Sequence, residues 1–381
     1  MSRIRVLQDY KVVDVSPYLP SQYCSLQLAQ LGAEVILVER PGPRQDIFPG
    51  LFEQVNTSKK SLQLDLKSEL GRDIFYQLAR SADVIIEGFR PGVVSRLKIS
   101  YEDIKSFKPD IIYCSISGFG QDGPYRDRPG HDVNYLGLSG YFSIPGQVGT
   151  PASRPGIPLV DLCTGMLAAN SVLAGLMARE KNGQGQYIDI AMLDAITAWT
   201  STRAGAHMVK KDTISDEHIT ATNDVFQTSD GKAVVLGIVG EEHFWQEFCQ
   251  TAGDEVLLQD ARFANEKSRS QNREELSGIL RALFQEKTRE EWLELFKNTD
   301  VPLSPVSTMA EALSDSQIVH RGLIEKVTAP ELGEINVIGF PAKFSGIATD
   351  VQSPPPKAGQ HTREILDQLG YSEEVISVLE P

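Results

Sequence analysis

The sequence predicts an α/β protein: a mostly parallel sheet with helices on its faces, followed by a smaller α+β unit. Three observations lead there. The first half alternates strand-like and helix-like segments, which favours parallel pairing through helical crossovers. From Asn223 the pattern changes to a hairpin and charged helices. The chain has 381 residues, 41% of them hydrophobic, which is core material for two domains.

The elements follow in order. Tyr10 to Ser16 (YKVVDVS) is a short apolar strand, and Ser21 to Gly32 has helical spacing with a glycine stop. Ala33 to Glu39 is a buried-type strand, and Ser61 to Leu66 alternates as a strand does. Ser68 to Ala82 is an amphipathic helix, Asp83 to Phe89 a strand, SYEDIKSFKP a short helix and DIIYCSISGFG a strand. Gly137 to Asp161 is rich in Gly and Pro and reads as a long structured loop. Leu162 to Gly183 is an apolar helix packed with small residues, and GQYIDIAMLDAITAW runs from strand into helix. In the second unit, DVFQTSDGKAVVLGIV is a hairpin turning at Asp230-Gly231. The tail after Leu323 is strand-like and Pro-rich, closing on the helix HTREILDQLG.

Composition narrows the function. The net charge is −14, which disfavours non-specific binding to nucleic acid or anionic lipid but leaves room for local basic patches. Cys24, Cys114, Cys163 and Cys249 lie far apart without a CxxC pair. A structural zinc site is therefore not expected, and reduced thiols in a cytoplasmic protein are. The N-terminus lacks a signal-peptide core, and no apolar run is expected to reach the ~20 residues of a membrane span. No GxGxxG follows the first strand and no GxxxxGK[ST] occurs, so the usual dinucleotide and nucleoside-triphosphate sites are excluded.

Six ordered phrases resemble the family III CoA transferases, the CaiB/BaiF family. They are Leu31 to Pro41, Asn56 to Leu66, Asp83 to Leu97, Ser115 to Gly140, the loop ending at Asp161, and Gly183 to Ala195. The likeness continues more weakly at Asp224 to Thr228 and the closing HTREIL. The segment GHDVNY, with His131, is most similar to the 2-methylacyl-CoA racemase branch. The resemblance implies a large Rossmann-like CoA-binding domain (1–205 and 325–381), a small domain (222–320) and linkers (206–221 and 321–324). It also implies an interlinked homodimer and an acyl-CoA substrate, with CoA part of that substrate and no tightly bound cofactor. Neither a nucleic-acid nor a membrane partner is expected.

Asp161 stands where a Pro-rich loop meets an apolar helix, a position that suits either a plain N-cap or a reactive carboxylate favoured by the helix dipole. The matching Asp is a nucleophile in the transferases and one of two acid/bases at the α-carbon in the racemases. The resemblance makes His131 its partner, with Asp132 and Asn134 holding the loop or the imidazole; by itself a lone His is more often structural than catalytic. Glu241 falls near a Glu that supports the histidine in racemases, although Glu242 is adjacent and a solvated helix start is the alternative. CoA is an anion and needs cations; Arg40, Lys59, Arg90 and Arg96 lie in phrases that contact it in relatives. The region from Tyr135 to Tyr141 is expected to shape the acyl pocket.

Some positions depart from the pattern. Tyr18 stands where the family usually has an Arg after the first strand. Ile157 replaces the Asn that racemases place four residues before the catalytic Asp. The run Asp161-Leu162-Cys163-Thr164-Gly165 reads as the DxxTG of transferases, yet no GGG-type loop follows Glu241. The expected activity is epimerisation of a 2-methylacyl-CoA through an enolate. The alternatives are CoA transfer through an Asp161 anhydride and thioester, and an inactive acyl-CoA-binding member.

Overall fold

The computed structural model describes residues 3–44, 48, 50–144, 146–149, 152–210 and 219–380. The chain divides into two compact units. The first holds residues 1–139, 155–199 and 316–381, the second residues 140–154 and 200–315. Residues 140–154 thus group with the second unit, whereas the sequence-based boundaries keep them in the large domain.

The first unit is built on six parallel strands. In chain order they are β1 (Lys11–Asp14), β2 (Glu34–Glu39), β3 (Lys59–Gln63), β4 (Val84–Glu87), β5 (Ile112–Ser117) and β6 (Gln186–Ala191). Their spatial order is β3-β2-β1-β4-β5-β6. Strand order reverses between β1 and β4, the switch point at which open α/β sheets bind ligands beyond the carboxyl ends of their strands. The central strands β1, β2 and β4 are Val- and Ile-rich and buried, as expected where both faces are covered, whereas the edge strand β6 is largely exposed over its first four residues.

One face carries the helix Glu69–Ser81, which packs Ile74, Phe75 and Leu78 against Ile36, Val38, Ile85 and Tyr113. Full burial of each is worth roughly 1.5–3 kcal/mol. Ile365 and Leu366 of the C-terminal helix Thr362–Gln368 join this cluster, so the chain returns to the first unit. The other face carries the helices Leu19–Gln30 and Leu159–Asn182. The small residues of the latter have a packing cause: a Cβ on Gly165 would lie 2.7 Å from the Pro20 carbonyl, and one on Gly175 3.3 Å from Ile112.

Leu159–Asn182 has the length and hydropathy of a membrane span, contrary to the expectation of no such stretch, and half of its most apolar window is buried within the fold. The buried half packs against the Leu19–Gln30 helix and the sheet, whereas Met166, Leu167 and Met177 are exposed. It begins three residues earlier than the sequence pattern indicates, which matters at Asp161.

In the second unit, β7 (Asn223–Gln227), β8 (Ala233–Gly237) and β9 (Leu303–Pro305) form an antiparallel sheet, with the expected hairpin between β7 and β8. Phe226, Leu236, Trp245, Phe248, Phe284 and Trp292 fill its core. In the tail of the first unit, β10 (Ile324–Ala329) and β11 (Gly333–Ile338) pair as a hairpin.

Candidate active site

The site is built where the Leu159–Asn182 helix begins. Its N-cap position is Pro158, which offers no side-chain acceptor. The first amides of a helix lack intrahelical partners and must be satisfied elsewhere. The Leu159 amide donates to the Ile157 carbonyl at 2.9 Å. The next two, of Val160 and Asp161, donate to a single oxygen, Oδ2 of Asp132, at 2.7 and 3.3 Å.

Asp161 is therefore not the cap. It is the third helical residue, and its carboxylate makes no hydrogen bond among the described residues. Burial, and then the neighbouring charge of Asp132, push its pKa up to about 7. A carboxylate held that far above its usual range is more basic, and so more nucleophilic, than an ordinary aspartate.

Asp132 opens a short helix, Asp132–Leu138, that the sequence pattern does not reveal. His131 is the residue before it, and its backbone amide donates to Asn134 Oδ1 at 2.9 Å. Asn134 thus braces the chain at His131, whereas Asp132 reaches across to the long helix instead of holding the imidazole. The His131 side chain is exposed.

Tyr135, on the same short helix, is 3% exposed. Its ring lies edge-on to Phe119 at 5.2 Å. Its phenol sits where a Cβ on Gly118 would collide with it and one on Gly130 would lie 2.7 Å away. Burial and then Asp161 raise its pKa, and Arg90 opposes them. Tyr135 therefore carries the influence of both Asp161 and Arg90 in the direction of its shift.

Arg90 is exposed on the loop after β4. That loop is held from below: the buried Glu87 accepts from the Phe89 amide at 2.8 Å, and burial raises the Glu87 pKa to about 7. Gly88 lies so close to the loop after β1 that a Cβ there would meet the hydroxyls of Ser16 and Ser21. Arg96 and Arg126 flank Gly92, their guanidinium nitrogens 3.5 and 3.6 Å from where a Cβ would stand. Arg126 lies inside a family phrase, but nothing in its spacing ties it to Arg96, and only the fold brings the two together. Arg40 is exposed just beyond β2.

Lys59 is a correction. It is 2% exposed, and its ammonium donates to the Gln22 carbonyl (2.8 Å), Ser25 Oγ (2.8 Å) and Asn56 Oδ1 (2.9 Å). Ser25 in turn donates to the buried Asp14 at 2.5 Å. Burial lowers the Lys59 pKa to about 7 against the pull of Asp14. With three donors spent, Lys59 braces the ends of β1 and β3 and has none left for a phosphate. Its strand begins at Lys59, two residues before the expected start at Ser61.

Glu241 belongs to the second unit, His131 and Asp161 to the first. Its carboxylate accepts from the Val239 and Gly240 amides at 3.0 Å each, and these bonds lower its pKa. Glu242 is committed to Arg269.

The sequence profile of CoA-transferase family III matches residues 7–362. Succinyl-CoA:glutarate CoA-transferase of Mus musculus is 33% identical over 99% of this chain and 89% of its own length. Acetyl-CoA:oxalate CoA-transferase of Acetobacter aceti is 33% identical over 88% of each chain. The crystal structure of a CAIB/BAIF family protein from Brucella suis superposes with a TM-score of 0.85 at 27% identity, covering 97% of this chain and 100% of that one.

Proposed function

The chain belongs to CoA-transferase family III, and on that premise we propose that it moves coenzyme A from an acyl-CoA donor to an acceptor carboxylate, with dicarboxylic acids as the substrate class. The observation that carries this is the Asp161 carboxylate, half-buried, unbonded among the described residues and raised to about 7, in a chain similar over nearly its whole length to enzymes named for CoA transfer. Both of those names pair a CoA thioester with a dicarboxylate. The racemase reading favoured by GHDVNY loses ground to the transferase alternative.

The chemistry needs one free carboxylate. An Asp161 oxygen attacks the thioester carbonyl carbon. The carbon–sulfur bond breaks, CoA leaves as its thiolate, and a mixed anhydride remains on Asp161. The thiolate attacks the aspartyl carbonyl, releasing the donor acid as carboxylate and leaving an aspartyl-CoA thioester. The acceptor carboxylate attacks that thioester and CoA departs again. The thiolate then takes the acceptor acyl group and restores the Asp161 carboxylate. No net proton moves, so no second acid/base is required. Arg90, Arg96, Arg126 and Arg40, beyond the carboxyl ends of the strands, supply charge for the CoA phosphates. CoA enters as part of the substrate, with no tightly bound cofactor, and the interlinked homodimer belongs to the same proposal.

The test uses succinyl-CoA with a panel of dicarboxylates in deuterated water. New acyl-CoA is expected only with acceptor, without α-deuterium, and the His131→Ala variant is expected to keep most of the activity. α-Deuteration of a branched acyl-CoA without acceptor would restore the racemase reading.

A further inference from the structure

We infer that Asp132 is a positioning residue for the nucleophile: by accepting the Val160 and Asp161 amides it takes over the capping of the Leu159–Asn182 helix and leaves the Asp161 carboxylate unbonded at the helix start. This rests on the reading of Asp161 as the nucleophile.

The argument is one of competition for donors. An Asp in the first turn of a helix is drawn to the free amides there, and such bonds stabilise its charge and make it a poor nucleophile. Pro158 cannot cap, so without another acceptor those amides are available to Asp161 itself. The Asp132 Oδ2 occupies two of them, at 2.7 and 3.3 Å. The Leu159 amide is taken by Ile157 and that of Leu162 by Pro158. No amide of the first turn is left to hold the Asp161 carboxylate.

The cap also carries charge. A second carboxylate beside Asp161 disfavours its ionised form, in the same direction as burial. The other ionisable groups around it are Tyr135 on the short helix, Cys163 on its own helix, Tyr23 on the helix packed against Gly165, and Arg90 beyond Tyr135. None of these raises the Asp161 pKa by its charge; Asp132 does.

Two variants separate the two roles. Asp132→Asn keeps an acceptor oxygen for the amides and removes the charge, whereas Asp132→Ala removes both. Asp132→Asn is expected to move the acid limb of the kcat/KM profile to lower pH, with kcat falling less than tenfold. Asp132→Ala, which also frees the amides for Asp161, is expected to move the limb further and to lose kcat about 10- to 100-fold, with KM for the acyl-CoA within about twofold. A merely structural Asp132 would lower the melting temperature and leave the acid limb in place; an unmoved limb in both variants, or an Asp132→Ala limb and kcat equal to those of Asp132→Asn, overturns the inference, and where Asp132→Ala does not fold, Asp132→Ser, one atom too short to keep the cap, is read in its place. Hydroxylamine trapping on the wild-type enzyme keeps the two readings apart. If no Asp161 hydroxamate forms during turnover, the proposed function fails; if it forms and the limb stays put, only the role of Asp132 fails.

Discussion

Replacing Asp161 with Asn should abolish transfer and, at the same time, stabilise the protein in a pH-dependent way. The folded carboxyl titrates at about 7, whereas an unfolded Asp titrates at about 3.9. Between those values the folded state holds a proton that the unfolded state has lost, so wild-type stability falls as pH rises through the window. Each pH unit is worth about 1.4 kcal/mol, so the native protein carries a cost that grows from near zero at pH 4 to roughly 4 kcal/mol at pH 8. Asn has the shape of the carboxyl and no charge, and it removes that cost. At about 2 °C per kcal/mol for a unit of this size, the variant should melt about 8 °C above wild type at pH 8 and within about 1 °C of it at pH 4. Scanning calorimetry at pH 4, 6 and 8 reads this directly. Equal melting differences at all three values, or a variant less stable at pH 8, would refute the claim that Asp161 is held against its charge. Retained turnover would refute its role as nucleophile.

Two further outcomes follow from the site. Arg90→Ala should raise KM for acyl-CoA by about tenfold to a hundredfold, the loss of one charge-assisted contact, with an unchanged melting temperature because Arg90 is exposed; an unaltered KM would remove Arg90 from the CoA site. Lys59→Ala should cost about 3–5 kcal/mol by stranding Asp14, Ser25 and Asn56 in the core, and soluble variant should bind acyl-CoA normally. The folded ammonium titrates at about 7, below its unfolded value, so the unfolded state binds the extra proton and wild type should gain stability relative to this variant as pH rises from 7 to 10.

The sheet was legible because β1, β2 and β4 are short Val and Ile runs separated by helical spacing, a pattern that survives without tertiary information. The same holds for the hairpin at Asp230-Gly231. Boundaries were less so. Apolarity places the start of the long helix at Leu162, yet it starts at Leu159, because its first turn is satisfied from outside by Asp132, 29 residues earlier. No local pattern carries a cap that distant. Lys59 misled for the opposite reason: a lysine in an apolar-polar run reads as solvated, and only the converging acceptors of Gln22, Ser25 and Asn56 explain its burial. Tyr135 falls in the region expected to shape the acyl pocket, but its seat against Gly118 and Gly130 is a tertiary contact that no local pattern carries.

Ile157 gains meaning in this setting. Racemases place an Asn there, and a proton-transfer site benefits from a polar group that orients its imidazole. Ile157 has no side-chain donor or acceptor, it is 57% exposed, and its carbonyl is occupied by the Leu159 amide. A transferase faces a different hazard, since both its anhydride and its aspartyl thioester are lost to water if water arrives before the acceptor. An apolar side chain four residues before Asp161 is unhelpful for holding a histidine, and in the proposed transferase it offers no polar group to lead water to the activated carbonyl. On that argument Ile157→Asn should leave acyl-enzyme formation intact while raising hydrolysis of acyl-CoA relative to transfer. The ratio of free CoA to new acyl-CoA, measured at saturating acceptor, is the quantity to follow. An unchanged ratio would show that water is excluded by other groups and that Ile157 has no part in choosing between the two reactions.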